Sequence, residues 1–315
     1  MRVTSFGIDT QYIQNLNNIM QSFQTYENEL STGKKLNQPS DNPVAASADI
    51  QTQAMESQVK QWISNTKSAY SGMQTTDAAM SNLETTLGNV RTQLVQAVNG
   101  TNDQTDLTSI QSNIKQELQA VQQIANTNNG QQYIFAGTQG ETQPVPGTGS
   151  SAQWAFSASP ADQTITIGAG VKVQTNVNGQ DMFASVPTGS VASPSGSTAA
   201  LFSNSSGTTG LLQQIVNDLN SPANIANLKT DLTNLDANIN NVITKRSGLG
   251  GRMNLVSSTQ TQLEQTSTSL QTQQGNLENA NIAKVSVQFT TEQAVYQAAL
   301  NAGQNIILPT LAEKL

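Results

Sequence analysis

The sequence has no cysteine and no histidine, and only 4% of it is aromatic and 11% charged. Without cysteine there is no disulfide scaffold and no thiol chemistry. Without histidine the chain lacks the usual general base and the usual nitrogen ligand for a metal. Sparse charge leaves the polar surface to Gln, Asn, Ser and Thr, so surface ion pairs contribute little. The balance is acidic, with 14 basic against 21 acidic residues, and the basic runs are pairs, Lys34 with Lys35 and Lys245 with Arg246. That argues against nucleic acid as a partner. No apolar run approaches the roughly 18 residues of a membrane span. The start, Met1 to Asp9, has no apolar core and carries an acid where one would lie, so a cleavable secretory signal is not expected.

What the sequence has is heptad periodicity. Leu228, Leu235, Val242, Leu249, Val256, Leu263, Leu270 and Leu277 form one apolar column. Ile225, Leu232, Ile239, Arg246, Met253, Gln260, Ser267 and Gln274 form a second, which turns polar at its far end. Alternate steps of three and four keep both columns on one side of a helix, as in a coiled coil. At a rise of about 1.5 Å per residue this helix would be roughly 80 Å long, which predicts a rod. A matching seam runs through Met55, Val59, Trp62, Thr66, Ala69, Met73, Thr76, Met80, Leu83, Leu87, Val90, Leu94 and Ala97. Two such seams on one chain predict a mainly α, elongated antiparallel coiled-coil bundle built from both chain ends. Gln260, Ser267 and Gln274 would each cost about 1 to 3 kcal/mol if buried unpaired, so that end of the seam should meet polar groups or a neighbour.

The remaining segments are read by pattern. Ile13, Leu16, Met20, Phe23 and Leu30 make a short seam, widened by Ile19 and Tyr26. Gly33 suits the left-handed closing position of that helix, and Pro43 the first turn of the next, with Ser40, Asp41 or Asn42 as cap. A third seam uses Leu107, Ile110, Ile114, Val121 and Ile124. Gln132 to Ala136 reads as a strand closed by Gly137. Residues 138–209 are rich in Gly, Ser, Thr and Pro, with β-type runs at Trp154 to Phe156, Thr164 to Ile167 and Val171 to Val177, and a hairpin signal at Asn178 and Gly179. This predicts a small β-rich insert, a disordered insertion being the alternative, with Ser185 to Gly207 a mobile loop in either case. Helix resumes at Leu211. The phase breaks after Leu277 and restarts at Ile282, Val285, Phe289, Tyr296, Ala299, Gly303 and Ile306, ending at Pro309. Small residues there would let the Ile13 to Leu30 helix approach closely.

No constellation carries catalysis, a cofactor or a metal. Ser31 with Lys34 and Ser40-Asp41-Asn42 echo two marks of penicillin-recognising serine enzymes, but both fall in one connection and no Lys-Thr-Gly strand accompanies them; they read as caps. Gly248, Gly250 and Gly251 lack the ending of a phosphate loop and read as close helix packing. Asp103 and Asp106 fit no calcium loop and read as turn chemistry. Arg246, on the seam, reads as a charge that fixes register or pairs with an acid rather than one that binds a ligand.

Four stretches carry a family resemblance: Ser31-Thr-Gly-Lys-Lys-Leu-Asn-Gln-Pro-Ser-Asp-Asn-Pro-Val-Ala-Ala46, Gly130-Gln-Gln-Tyr-Ile-Phe-Ala-Gly-Thr138, Gly248-Leu-Gly-Gly-Arg-Met-Asn254, and the terminal stripe ending at Leu311. On these the chain resembles the flagellin superfamily, and within it the branch that joins hook to filament. The motif loop is Thr32, Gly33, Lys34, Pro39, Ser40, Asp41 and Pro43; the motif strand is Tyr133, Phe135 and Gly137. Asn42 stands where a second Asp is usual, and residues 138–209 resemble nothing assignable.

The resemblance implies a non-enzymatic, axial structural protein of the bacterial flagellum, exported unfolded through the flagellar type III channel and assembled outside the cell as a ring. Its implied partners are further copies of itself, a neighbouring hook-associated junction protein, flagellin, and an export chaperone at the C-terminal segment. The implied layers are 1–42 with 280–315 as the assembly domain, 43–137 with 210–279 as the helical rod, and 138–209 as the outer domain. Subunit packing would fall to Ile13, Leu16, Met20, Phe23, Leu30, Val285, Phe289, Tyr296, Ala299, Gly303 and Ile306. A filament flagellin or another type III secreted rod protein is the alternative, and a cytoplasmic coiled-coil adaptor a third reading.

Overall fold

The computed structural model describes residues 2–99, 102–130, 132–147, 152–156, 160–192, 198–203 and 208–312, with 2–6, 8–9 and 304–312 described by backbone alone. In chain order the elements are α1 (Arg2–Thr32), α2 (Pro43–Asn99), α3 (Gln104–Ala125), β1 (Thr164–Gly168), β2 (Val171–Gln174), α4 (Leu211–Asp218), α5 (Ile225–Glu278) and α6 (Ile282–Ala312). The fold is mainly α, with long helices from both chain ends packed together and a small β-containing insert. Two compact units divide it, Met1–Lys60 with Gln265–Leu315, and Gln61–Glu264.

In the second unit the expected seams form the core. Met73, Met80, Leu83, Leu87, Val90 and Leu94 of α2 and Leu228, Leu235, Val242, Leu249 and Val256 of α5 are wholly buried, each contributing about 1.5 to 3 kcal/mol of transfer free energy. Ile114 and Val121 of α3 join them. Asp103 caps α3, accepting from the amides of Thr105 and Asp106, while Asp106 reaches back to the Asp103 amide. Arg246 pairs with acids across the two helices, one of the two roles expected of it. Its Nε and Nη2 donate to the Asp77 carboxylate at 2.8 and 3.3 Å, and Nη1 to Glu84 at 3.1 Å.

The insert departs from expectation. β1 and β2 pair antiparallel, Thr164 opposite Gln174, turning at Gly170 with φ 73°. The rest is irregular and collapses on aromatic rings: Phe183 meets Phe135 edge-on at 5.2 Å and stacks on Trp154 at 5.9 Å. Asn178 and Gly179 form no hairpin turn, because Gly179 keeps φ −66° and leads into a helical turn, Gln180–Ala184. Glycine is needed there for space, since a Cβ would lie 2.6 Å from the Phe135 carbonyl oxygen. Gln132 to Ala136 is a series of turns rather than a strand, with Tyr133 bridged to Asn128. Within Ser185 to Gly207, Leu201 and Phe202 are buried and the Phe202 amide donates to the Phe183 carbonyl at 2.7 Å, so this part is core; residues 193–197 and 204–207 lie outside the described residues.

Three further expectations change. Gly248, Gly250 and Gly251 face open space, with no atom within 4 Å of an added Cβ, so no close packing within the subunit explains them. The α6 backbone continues past Pro309 to Ala312. On α2 within the first unit, Met55 is 56% exposed while Asp49, Thr52 and Glu56 are buried. The seam there passes through polar residues because α5 offers polar partners: Gln271 Nε2 donates to Glu56 Oε1 at 3.0 Å.

Candidate functional site

The motif loop and the α5–α6 joint meet in the first unit. Gly33 takes φ 72°, which ends α1 and turns the chain into an antiparallel bridge with the joint. The Lys35 amide donates to the Glu278 carbonyl at 2.7 Å, and the Ala280 amide to the Gly33 carbonyl at 2.9 Å. Thr32 Oγ1 donates to the Asn28 carbonyl at 2.8 Å and accepts from the Lys34 amide at 3.2 Å. Asp41 Oδ2 accepts from the amides of Asn37 and Gln38 at 2.9 and 2.8 Å, closing the loop around Pro39 and Ser40. The cap of α2 is Asn42, whose Oδ1 accepts from the Ala45 amide at 3.0 Å, with Pro43 as first helical residue.

Glu278 is the hub of this joint. Lys34 Nζ lies 2.6 Å from its Oε2, while Gln53 and Gln274 donate to its Oε1 at 3.1 and 3.0 Å. The Lys34 contact above all holds the Glu278 carboxyl below its ordinary pKa, and Glu278 raises that of Lys34. Burial, and then the hydrogen bond to Glu278, push Asp49 the other way. Of the two carboxyls Glu278, opposite Lys34, is therefore shifted towards the stronger acid and Asp49 towards the weaker. Heptad reading missed Glu278, Asp49 and Gln53. The available signal was the spacing of Asp49, Thr52, Glu56 and Val59, which continues the seam in steps of three and four.

Beyond the joint, α1 and α6 run antiparallel, backbone close to backbone. Phe23 stacks on Phe289 with ring centroids 4.7 Å apart, and Tyr12 Oη donates to the Ala299 carbonyl at 2.6 Å. Gly303 is buried against the Tyr12 ring. The face of α1 turned to α6 is Tyr12, Leu16, Ile19, Phe23, Tyr26 and Leu30, all half-buried. Ile13 and Met20, placed on that seam by periodicity, are instead 55% and 46% exposed. On α6, Val285 is buried, Phe289, Tyr296 and Ala299 are half-buried, and the Ile306 side chain lies outside the described residues. Ile282, Val287 and Val295 remain 47%, 66% and 44% exposed. No described α1 side chain is fully buried, and among the described residues no helix is long and apolar enough to cross a membrane.

The motif strand residues sit in the second unit, apart from this joint in sequence and role. Phe135 is fully buried, and Gly137 takes φ 55° where a Cβ would lie 2.7 Å from the Ala161 carbonyl oxygen. Tyr133 is half-buried, its amide donating to the Gly140 carbonyl at 2.8 Å. These residues hold the insert together.

Comparison with known proteins agrees with this architecture. Residues 6–140 match the bacterial flagellin N-terminal helical region, and residues 232–304 the bacterial flagellin C-terminal helical region. The flagellar hook-associated protein 3 of Escherichia coli (strain K12) is 28% identical over 305 residues, covering 93% of this chain and 95% of that protein. The phase 1 flagellin of Salmonella naestved is 31% identical over 129 residues, covering 40% of this chain and 25% of the flagellin. The crystal structure of flagellar hook-associated protein 3 from Legionella pneumophila shares the fold, with a TM-score of 0.60 at 15% identity, covering 72% of this chain and 98% of that one. With both helical regions matched over more than half its length, this chain belongs to the flagellin family.

Proposed function

We propose that this chain is a structural component of the bacterial flagellum that forms the junction between hook and filament. The observation that carries this reading is the terminal helix pair. The α1 and α6 helices hold each other through half-buried contacts and leave Ile13, Met20, Ile282, Val287 and Val295 uncovered. A pair with so little buried apolar area orders when further surface is covered. The covering groups are the same helices of neighbouring copies in a ring, with the hook-associated junction protein on one side and flagellin on the other. Correspondence with hook-associated protein 3 over nearly all of both chains, against a quarter of the flagellin, favours the junction over the filament itself.

In this reading the protein is no enzyme. It travels unfolded through the flagellum's export channel, an export chaperone covering the apolar C-terminal segment, and takes its place outside the cell. Residues 1–42 with 280–315 form the assembly layer, 43–137 with 210–279 the rod layer, and 138–209 the outer one. Ile13, Leu16, Met20, Phe23, Leu30, Val285, Phe289, Tyr296, Ala299, Gly303 and Ile306 supply the subunit packing. Phe289→Asp tests this: the variant is expected to be absent from purified hook-basal bodies that contain the wild type, while α5 of the soluble protein stays helical. Recovery of the wild type from bulk filament, and not from the hook end, would favour a flagellin instead. Hydrogen exchange of the free subunit is expected to be fast across both α1 and α6; strong protection there would refute ordering on assembly.

A further inference from the structure

A carboxyl pair inside the second unit is used by nothing described so far. Asp231 of α5 is 1% exposed and Asp218, the last residue of α4, is 5% exposed. The Asp218 oxygens have donors: Gln214 Nε2 reaches Oδ2 at 2.7 Å, and Asn227 Nδ2 reaches Oδ1 at 3.5 Å. Neither oxygen of Asp231 receives a hydrogen bond. A dry carboxylate without a donor is strongly disfavoured and neutralises instead. Asn227 and Asp231 are four residues apart on α5 and so share a face, and the Asn227 bond sets Asp218 against that face; Asp231 can satisfy itself by carrying a proton and donating it there.

We propose that Asp231 holds a proton that it donates to Asp218, and that this shared proton clamps α4 onto α5 until alkaline pH removes it. Burial, and then the charge of Asp218, push the Asp231 carboxyl up to about 8. The cations on surrounding elements are turned elsewhere. Lys115 of α3 lies on Gln111 Oε1 at 3.1 Å, Arg91 of α2 pairs with Asp236 at 2.6 Å, and Lys229 of α5 is exposed. The next polar residues along α5 serve another segment: Asn234 Oδ1 accepts from the Val191 amide at 2.7 Å and Asn238 Nδ2 donates to the Ala199 carbonyl at 2.8 Å.

The sign of the pH effect follows from the raised value. Unfolded Asp231 loses its proton near 3.8 and folded Asp231 near 8. The clamp is at full strength below the lower value and weakens as pH rises towards the higher one, by up to about tenfold in the folded-to-unfolded ratio per pH unit. The test is urea unfolding of the full chain, followed at Trp154 in a Trp62→Phe background, from about pH 4 to about pH 9, with and without Asp231→Asn. Asn keeps the size and the donor but cannot titrate. The Asp231 form is expected to lose stability relative to the Asn variant across this range, and parallel pH profiles would overturn the proposal. Should the variant not fold, the infrared spectrum of the wild type decides. A protonated-carboxyl C=O band present at neutral pH and lost at alkaline pH supports the clamp, and its absence at neutral pH overturns it. Stabilisation of the Asp231 form, and not of Asp231→Asn, by added calcium at neutral pH would also overturn it, in favour of a bound cation.

Discussion

Tyr12 and Gly303 are matched across the terminal helix pair: the tyrosine ring occupies the space that a side chain at 303 would need. A Cβ on Gly303 would lie 2.7 Å from the ring carbon that carries the hydroxyl, and the same hydroxyl donates to the Ala299 carbonyl at 2.6 Å. Sequence spacing had assigned the small residues of this helix to close approach, and the structure names the group that approaches.

Gly303→Ala therefore sets two effects against each other. Alanine gains about 1 kcal/mol of helix propensity, while overpacking against Tyr12 costs about 1 to 3 kcal/mol. The expected net outcome is weaker α1–α6 pairing in the assembled state, read as poorer incorporation into hooks. Tyr12→Phe in the same chain removes the oxygen nearest the clash and should restore part of the loss in a double-mutant cycle.

At Gly248 and Gly251 the sign reverses. Both lie in the interior of α5 with open space where a Cβ would go, so each change to Ala should stabilise the soluble protein by about 0.5 to 1 kcal/mol. Thermal unfolding checks this. Stabilised monomers that no longer assemble would show that a neighbouring subunit needs the glycines.

Glu278→Ala should loosen the joint that the motif loop makes with α5 and α6. Lys34, Gln53 and Gln274 lose their acceptor, and Asp49 its partner. The expected cost is about 1 to 3 kcal/mol, read as faster amide exchange at Lys35 and Ala280. In the wild type the contribution of Glu278 follows its lowered pKa: it is present above the ordinary glutamate value of 4.5 and fades as pH falls through the folded one.

Gly137→Ala combines a left-handed backbone with a contact to the Ala161 carbonyl oxygen. A cost of about 3 kcal/mol is expected. Fluorescence of Trp154, in a chain with Trp62→Phe, should report the loosened aromatic cluster around Phe135 and Phe183.

How much of this was legible depends on whether one residue type or a pairing decided it. The α5 column from Leu228 to Val256 is wholly buried, because a repeat of apolar residues at heptad spacing leaves a helix one face to hide. Ile13 and Met20 stay outside the face that α6 covers, because α6 meets Tyr12 and Ile19 on the adjoining side of the helix. Glu56 displaced Met55 from the seam because Gln271 stood opposite, which one helix read alone does not reveal. The Gly179 turn failed for a similar reason: the glycine answers to Phe135 and Trp154, not to its own backbone.

By itself the sequence determined the helices, their breaks at Gly33 and after Glu278, the antiparallel seams, and the absence of histidine and thiol chemistry, since each follows from local spacing and residue chemistry. Tertiary structure alone decided that Glu278 joins the motif loop to the terminal pair, that Asp218 and Asp231 lie together out of water, and that the rings of Phe135, Trp154 and Phe183 organise the insert. Those relations join residues on different elements, and their energies depend on burial and on partners that only the folded chain brings into contact.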